Sequence, residues 1–181
     1  MNLVDLDATT RFFMRTEVEM DVAAGALFLS NRLSPSGRVE YPDLLLKAID
    51  GGSPDTLAVA LLQNWRLNLW ETSRDRRGRP CRKRVPYNAA DTLADREFNR
   101  YYIRGVCARA EAEGSQAVEV YRAMAVGNAR PEIEARIGVR LAPRALLADL
   151  RAHNEPKAVE TALGVAAGTN SGLSVRLVEG K

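Results

Sequence analysis

Residues 88–114 read NAADTLADREFNRYYIRGVCARAEAEG, and the fold turns on this stretch. Phe98, Tyr102, Val106 and Ala110 recur every four positions, the spacing of one face of an α-helix. Asp91 is placed to cap the start of that helix, and Gly114 to close it after Glu113. A second row, Tyr101, Gly105, Ala108 and Ala112, consists mostly of small side chains. Glycine inside a helix costs about 1 kcal/mol relative to alanine, so Gly105 predicts that another backbone comes close at that point.

Toward the N-terminus, Met14, Val18, Val22, Ala26, Leu29 and Leu33 form a helical stripe. It predicts a helix over 9–33, capped by Asp7 or Thr9 and ended by Ser34-Pro35-Ser36-Gly37. A short helix should run from Pro42 to Gly51-Gly52. Ser53 as N-cap and Pro54 as the first helical residue then open a third, which Leu57, Leu61, Leu62, Trp65 and Leu69 carry to about Thr72. Toward the C-terminus the period changes. QAVEVYRAMAV, residues 116–126, alternates as a strand does. Short helices are expected at Pro131–Ile137 and Pro143–Ala152, a turn at Pro156–Leu163, and a last strand in LSVRLV, residues 173–178. The expected fold is mainly α, or α+β. A helical body over 1–114 carries a basic loop at 74–86, and a small α+β region, 115–181, holds two or three strands. Two strands alone are marginal in water and need helices or a second subunit to cover them.

With 181 residues, 46% hydrophobic and 27% charged, the chain can bury a core without disulfides or a structural metal. Its apolar runs are too short to span a bilayer, so no membrane partner is expected. Acids stand where a signal peptide would be basic, which predicts a cytoplasmic protein or one built into a virion assembled there. Cys81 and Cys107 lack CxxC spacing and His153 is the only histidine, so no zinc set can be assembled and no cofactor is expected. Cys107 reads as a core thiol and Cys81 as a loop residue.

Candidate catalytic groups are scattered. His153 lies beside a helix end, where capping is its natural role. Glu155-Pro156-Lys157 with Asp43 imitates part of a metal nuclease, yet both carboxylates adjoin prolines that read as helix starts. VYRA at 120–123 with Glu132 and Glu134 has a faint likeness to an ADP-ribosyl transferase but lacks the intervening strand. GVAAGTNSG, residues 164–172, has no Lys-Ser/Thr ending and precedes a strand, unlike a phosphate-binding loop. The chain is expected to be non-enzymatic.

RDRRGRPCRKRV, residues 74–85, remains. Arg74, Arg76, Arg77, Arg79, Arg82, Lys83 and Arg84 face a single acid, Asp75. This local +6 in a chain of net +3 leaves −3 for the rest, so the protein is mildly acidic with one basic segment. Gly78-Arg79-Pro80 keeps the segment extended. Arg96, Arg100 and Arg104 form a row at i, i+4 and i+8 on the following helix, with Asn99 beside it and Tyr87 and Tyr101 available to stack. Loop and row together predict contact with nucleic acid through phosphates, or with an acidic face, either of the protein's own fold or of a neighbouring subunit in a homo-oligomer or larger assembly.

TLADREFNRYYIRG at 92–105, EVYRA at 119–123 and NSGLSVRL at 170–177 together resemble small proteins carried by phages and prophages of GC-rich bacteria. The resemblance spans roughly the C-terminal half. It implies a non-catalytic virion or mobile-element component, and it carries over no functional residues. Two roles are therefore expected: a structural subunit of an assembly, or a sequence-tolerant nucleic-acid-binding accessory protein.

Overall fold

Asp7 accepts a hydrogen bond from the Thr10 amide (2.9 Å) and starts α1, Ala8–Ala23. In the computed structural model, which describes residues 1–127, 130–153, 163 and 171–178, ten further elements follow. They are α2 (Pro35–Gly51), α3 (Pro54–Leu62), β1 (Trp70–Arg74), β2 (Pro80–Arg84), α4 (Ala89–Ala112), β3 (Val118–Arg122), α5 (Pro131–Glu134), β4 (Arg140–Leu141), α6 (Pro143–Ala152) and β5 (Leu173–Leu177). The α+β class read from the sequence holds, with a helical N-terminal half and a small sheet contributed by the C-terminal part. No described helix is long and apolar enough to cross a membrane. The expected turn at Pro156–Leu163 and most of GVAAGTNSG lie outside the described residues.

Several boundaries differ from expectation. α1 ends at Ala23 rather than continuing to Leu33, because Gly25 takes a left-handed φ of 64° and the Ala26 amide turns back onto the Asp21 carbonyl. The next helix starts seven residues before Pro42, at Pro35. Ser34, read as part of a stop, is its N-cap and accepts from the Gly37 amide. α3 stops at Leu62, ten residues short of Thr72, because Asn64 and Trp65 both adopt positive φ.

The described chain falls into two compact units, one of Met1–Leu27 with Arg96–Lys181 and one of Phe28–Asp95. This division lies elsewhere than the boundary at residue 114 read from the sequence.

In the first unit β3 is the centre of an antiparallel sheet of order β4-β3-β5, with Val118 opposite both Leu141 and Leu177. Val118, Val120, Leu173 and Val175 are buried, as the alternation required. The N-terminal residues are tied down in the same unit. The Asn2 amide donates to the Ala123 carbonyl (2.7 Å), the Asp5 amide to the Tyr102 hydroxyl (3.0 Å), and Asp5 Oδ2 accepts from the Leu177 amide (2.8 Å).

Gly105 does what its position in α4 predicted. A Cβ there would stand 2.6 Å from Met14 Cγ and 3.0 Å from the Met14 amide nitrogen of α1. This approach brings Arg104 onto the acids of α1. Its Nε donates to Glu17 Oε2 (2.9 Å) and its Nη1 to Asp21 Oδ2 (2.6 Å), with the side chain entirely out of solvent. The Tyr101 hydroxyl also donates to Asp21 (2.7 Å), and Arg151 of α6 pairs with Glu17. Burial, reinforced by the bond to Asp21, pushes the Tyr101 phenol far above its ordinary range.

In the second unit α2 packs on α3, and Leu33, Tyr41, Leu45, Ile49, Leu57 and Leu61 form its core. Ser53 and Thr56 make a reciprocal capping box at the start of α3.

Gly105→Ala should lower stability by about 1–3 kcal/mol in urea unfolding, the range for overpacking, although helix propensity alone would favour alanine by about 1 kcal/mol. Arg104→Ala should cost about 3–5 kcal/mol, because it leaves buried carboxylates without their counter-charge. A neutral result for either substitution would contradict the α1–α4 packing described.

Candidate functional site: a basic hairpin

The sequence reading treated residues 74–85 as an extended loop. They form most of a hairpin. β1 and β2 pair antiparallel in the register Trp70–Arg84, Glu71–Lys83, Thr72–Arg82, Ser73–Cys81 and Arg74–Pro80. Side chains alternate along each strand, so Trp70, Thr72, Arg74, Pro80, Arg82 and Arg84 share one face. All six are exposed, whereas Glu71, Ser73 and Cys81 on the opposite face are half-covered.

The turn is built by its one acid. Asp75 Oδ1 accepts from the amides of Arg77 (2.8 Å) and Arg79 (2.9 Å), Oδ2 accepts from Arg79 Nε (2.9 Å), and Gly78 supplies a φ of 77°. These bonds, the Arg79 amide first among them, hold the Asp75 carboxyl below its usual range. Arg74 Nη1 donates to the Gly78 carbonyl (2.8 Å). On the covered face Glu71 bridges Arg32 Nε (2.7 Å) and Lys83 Nζ (3.3 Å), which holds the strand pair to the chain around Leu33. The backbone does the same: Leu33 pairs with Leu67, and the Asn68 amide donates to the Arg32 carbonyl (2.8 Å).

Three of the seven cations, Arg74, Arg79 and Lys83, therefore serve the hairpin itself. Arg76, Arg77, Arg82 and Arg84 have no carboxylate partner among the described residues. Arg82 and Arg84 lie over the Trp70 ring, their Cζ atoms 5.2 and 5.9 Å from its centre. The outward face thus presents guanidinium groups positioned by an aromatic ring and not neutralised by acids.

Arg96, Arg100 and Arg104 do not extend this surface. Arg96 and Arg100 engage Glu97 at 2.7 and 3.2 Å with little exposure, and Arg104 is fully buried. Asn99 donates to the Leu173 carbonyl (2.9 Å), and Tyr101 is committed to Asp21. Regular spacing on a helix marks a face without saying whether that face is wet. Of the stacking candidates only Tyr87 is open, at 95% exposure.

Sequence reasoning missed two aromatic residues: Trp65 fits a helical stripe, and Trp70 falls within the span expected for that helix. Trp70-x-Thr72-x-Arg74 ahead of Asp75 and Gly78 was the available strand-and-turn signal. Trp65 is 78% exposed and sits at φ 57°, directly after Asn64 at 52°. This region costs a side-chain-bearing residue about 1–2 kcal/mol. Arg66 enforces it. Arg66 Nε binds Glu40 (2.7 Å), Nη1 binds the Ala60 carbonyl (2.7 Å), and its own carbonyl accepts from the Ser34 amide (2.8 Å). Gly37 makes room, since a Cβ there would lie 2.1 Å from the Arg66 oxygen. Leu62, Trp65, Leu69, Val85 and Tyr87, with Arg84, line an adjoining groove of about 660 Å³.

Other candidate chemistry stays apart. His153 caps the end of α6, and its Nδ1 meets Asp149 Oδ1 at 3.1 Å. Asp43 lies inside α2, while Glu155-Pro156-Lys157 lies outside the described residues. Among the described residues no three of His, Cys, Asp and Glu converge as metal ligands. Cys107 is buried, which pushes its thiol well up. Comparison of the chain with known protein families, curated proteins and solved structures finds no match.

The Arg32 bond, helped by Lys83, holds the Glu71 carboxyl below 4.5. A carboxylate with a depressed folded-state pKa contributes stability that is complete above its unfolded value and is lost as pH falls through the folded value. Amide-exchange protection across β1 and β2 should thus be full above pH 4.5 and decline below it, and Glu71→Gln should weaken it at pH 6. Protection that is unchanged in the variant would remove Glu71 as the hairpin's anchor.

Proposed function

We propose that this protein is a non-catalytic assembly subunit, of the kind phages and prophages encode, whose contact surface is the outward face of the basic hairpin. One observation carries the reading. Arg82 and Arg84 on that face, with Arg76 and Arg77 at the turn, have no carboxylate partner among the described residues, while Glu71 and Asp75 brace the hairpin from within. A fold that needed these cations for stability would pair them. Exposed, and with no described carboxylate beside them, they suit an acidic surface supplied from outside, and charge complementarity of this type sets orientation and association rate. The phage resemblance in TLADREFNRYYIRG, EVYRA and NSGLSVRL is what points to a particle component.

A second reading is favoured by the Trp70 stack. Guanidinium planes held on an exposed ring are suited to a phosphodiester backbone, so the same face would serve a sequence-tolerant nucleic-acid-binding accessory protein. The surface is a two-stranded ribbon carrying flexible point charges, with no helix to offer base edges, so its contacts would be to phosphates.

Replacing Arg76, Arg77, Arg82 and Arg84 together with alanine separates the readings. If four cations touch duplex phosphates, the log–log salt slope of binding is roughly −3 to −4 and flattens toward zero in the variant. If the subunit assembles through this face, light scattering shows the parent as an oligomer, or bound to an acidic partner, and the variant alone. In both cases thermal stability should stay nearly constant, since none of the four has a carboxylate partner among the described residues. A monomeric parent that binds neither an acidic polypeptide nor nucleic acid at low salt would reject both.

A further inference from the structure

The groove beside the hairpin has three features that do not serve the fold. Trp65 is exposed although it is large and apolar, its backbone is held in a left-handed conformation, and Tyr87 at the other end of the lining sequence is almost wholly in solvent. Arg66 and Gly37 fix the turn that displays Trp65, so the exposure is imposed by structure and is not fraying. Left-handed non-glycine residues concentrate at sites where strain serves a ligand. At about 660 Å³ the groove is within the range of small-ligand sites. Among the described residues no carboxylate lines it, and Arg84 belongs both to its wall and to the cationic face of the hairpin.

We propose that this groove takes unpaired bases of a single-stranded nucleic acid, stacked on Trp65 and Tyr87, while the phosphates run over Arg84, Arg82, Arg76 and Arg77. The inference rests on the nucleic-acid reading of the hairpin and adds the form of the strand. Aromatic platforms beside a cationic track are the means by which proteins hold single strands without reading sequence. Duplex DNA keeps its bases stacked inside and offers only phosphates, so it would use the hairpin and leave the groove empty. A run of acidic side chains would satisfy the arginines but offers no ring to stack on the two exposed aromatics.

The test uses the full chain with a labelled twenty-residue oligothymidylate, a duplex of equal length and a polyglutamate peptide, at about 50 mM salt, where phosphate contacts are strong. The single strand should bind more tightly than the duplex. Trp65→Ala and Tyr87→Ala should each weaken single-strand binding about tenfold, within the range for one lost base stack, and leave duplex affinity and the salt slope unchanged. Trp65→Gly should weaken it equally without lowering the melting temperature, because glycine accepts the left-handed backbone, and this separates lost stacking from misfolding. Equal affinity for both nucleic acids, or aromatic variants that bind the single strand normally, would overturn the groove's role while the hairpin reading stands. Binding of neither nucleic acid would overturn the nucleic-acid reading and the groove's role together. Polyglutamate binding that depends on Trp65 would give the groove to a protein partner and overturn the inference.

Discussion

Much of the first unit depends on a single buried charge. Arg104 has no contact with solvent and lies between Glu17 and Asp21, one helical turn apart on α1. A guanidinium in such a place is tolerable only if its donors are met, because desolvating it costs several kcal/mol even after relaxation. Two carboxylates meet them, and Arg151 from α6 restores neutrality at Glu17. The cluster therefore ties α1, α4 and α6 in one mutual register. Sliding α1 along α4 by a turn would separate the charges, a far larger penalty than displacing an apolar contact. Gly105, one residue along, lets the helices come close enough for the bonds to form. Apolar burial drives these helices together. The ion cluster determines where they stop.

That constraint also explains what the sequence disclosed and what it concealed. Gly105 was legible because a helical glycine has a known cost and few justifications. β3, β5 and α6 were legible from alternation and from proline-led apolar periodicity, which local physics largely decides. Arg96, Arg100 and Arg104 looked like a cationic surface because one helix shows only its own spacing. The carboxylates Glu17 and Asp21 that bury Arg104 lie more than eighty residues away. On α1 they sit beside Met14 and Val18, and two acids so close to an apolar stripe were the available hint. The early stop of α1 was hidden for a related reason: Val22, Ala26 and Leu29 continue the helical spacing past Gly25, and the glycine's left-handed φ decides against it.

The hairpin was concealed differently. Four of its ten strand residues are arginine or lysine, and only Trp70 and Thr72 are of strand-favouring type, so the strands carry little intrinsic strand preference. Their pairing depends on Glu71 gripping Arg32, a partner thirty-nine positions away, and on Leu67 meeting Leu33. What composition did convey was the excess of charge. Geometry divides that excess into cations that brace the ribbon and cations that face outward, a division that counting residues cannot make.

Arginine thus has two fates in this chain, and acids decide between them. Where the fold supplies carboxylates in matching geometry, as at Glu17, Asp21 and Glu97, the guanidinium is drawn in and becomes structural. Glu71 and Asp75 do this for the covered face and the turn of the hairpin, and no described acid does so for Arg76, Arg77, Arg82 or Arg84. Folding gains little from these four, since an exposed cation with no carboxylate beside it contributes mainly repulsion to its neighbours. The same holds for Trp65, held outward in a backbone conformation that tryptophan disfavours. Both features belong to Phe28–Asp95, and each alone would be a small cost easily removed by substitution. Their coincidence around Arg84, which lines the groove and stacks on Trp70, is the physical ground for treating ribbon and groove as one binding surface.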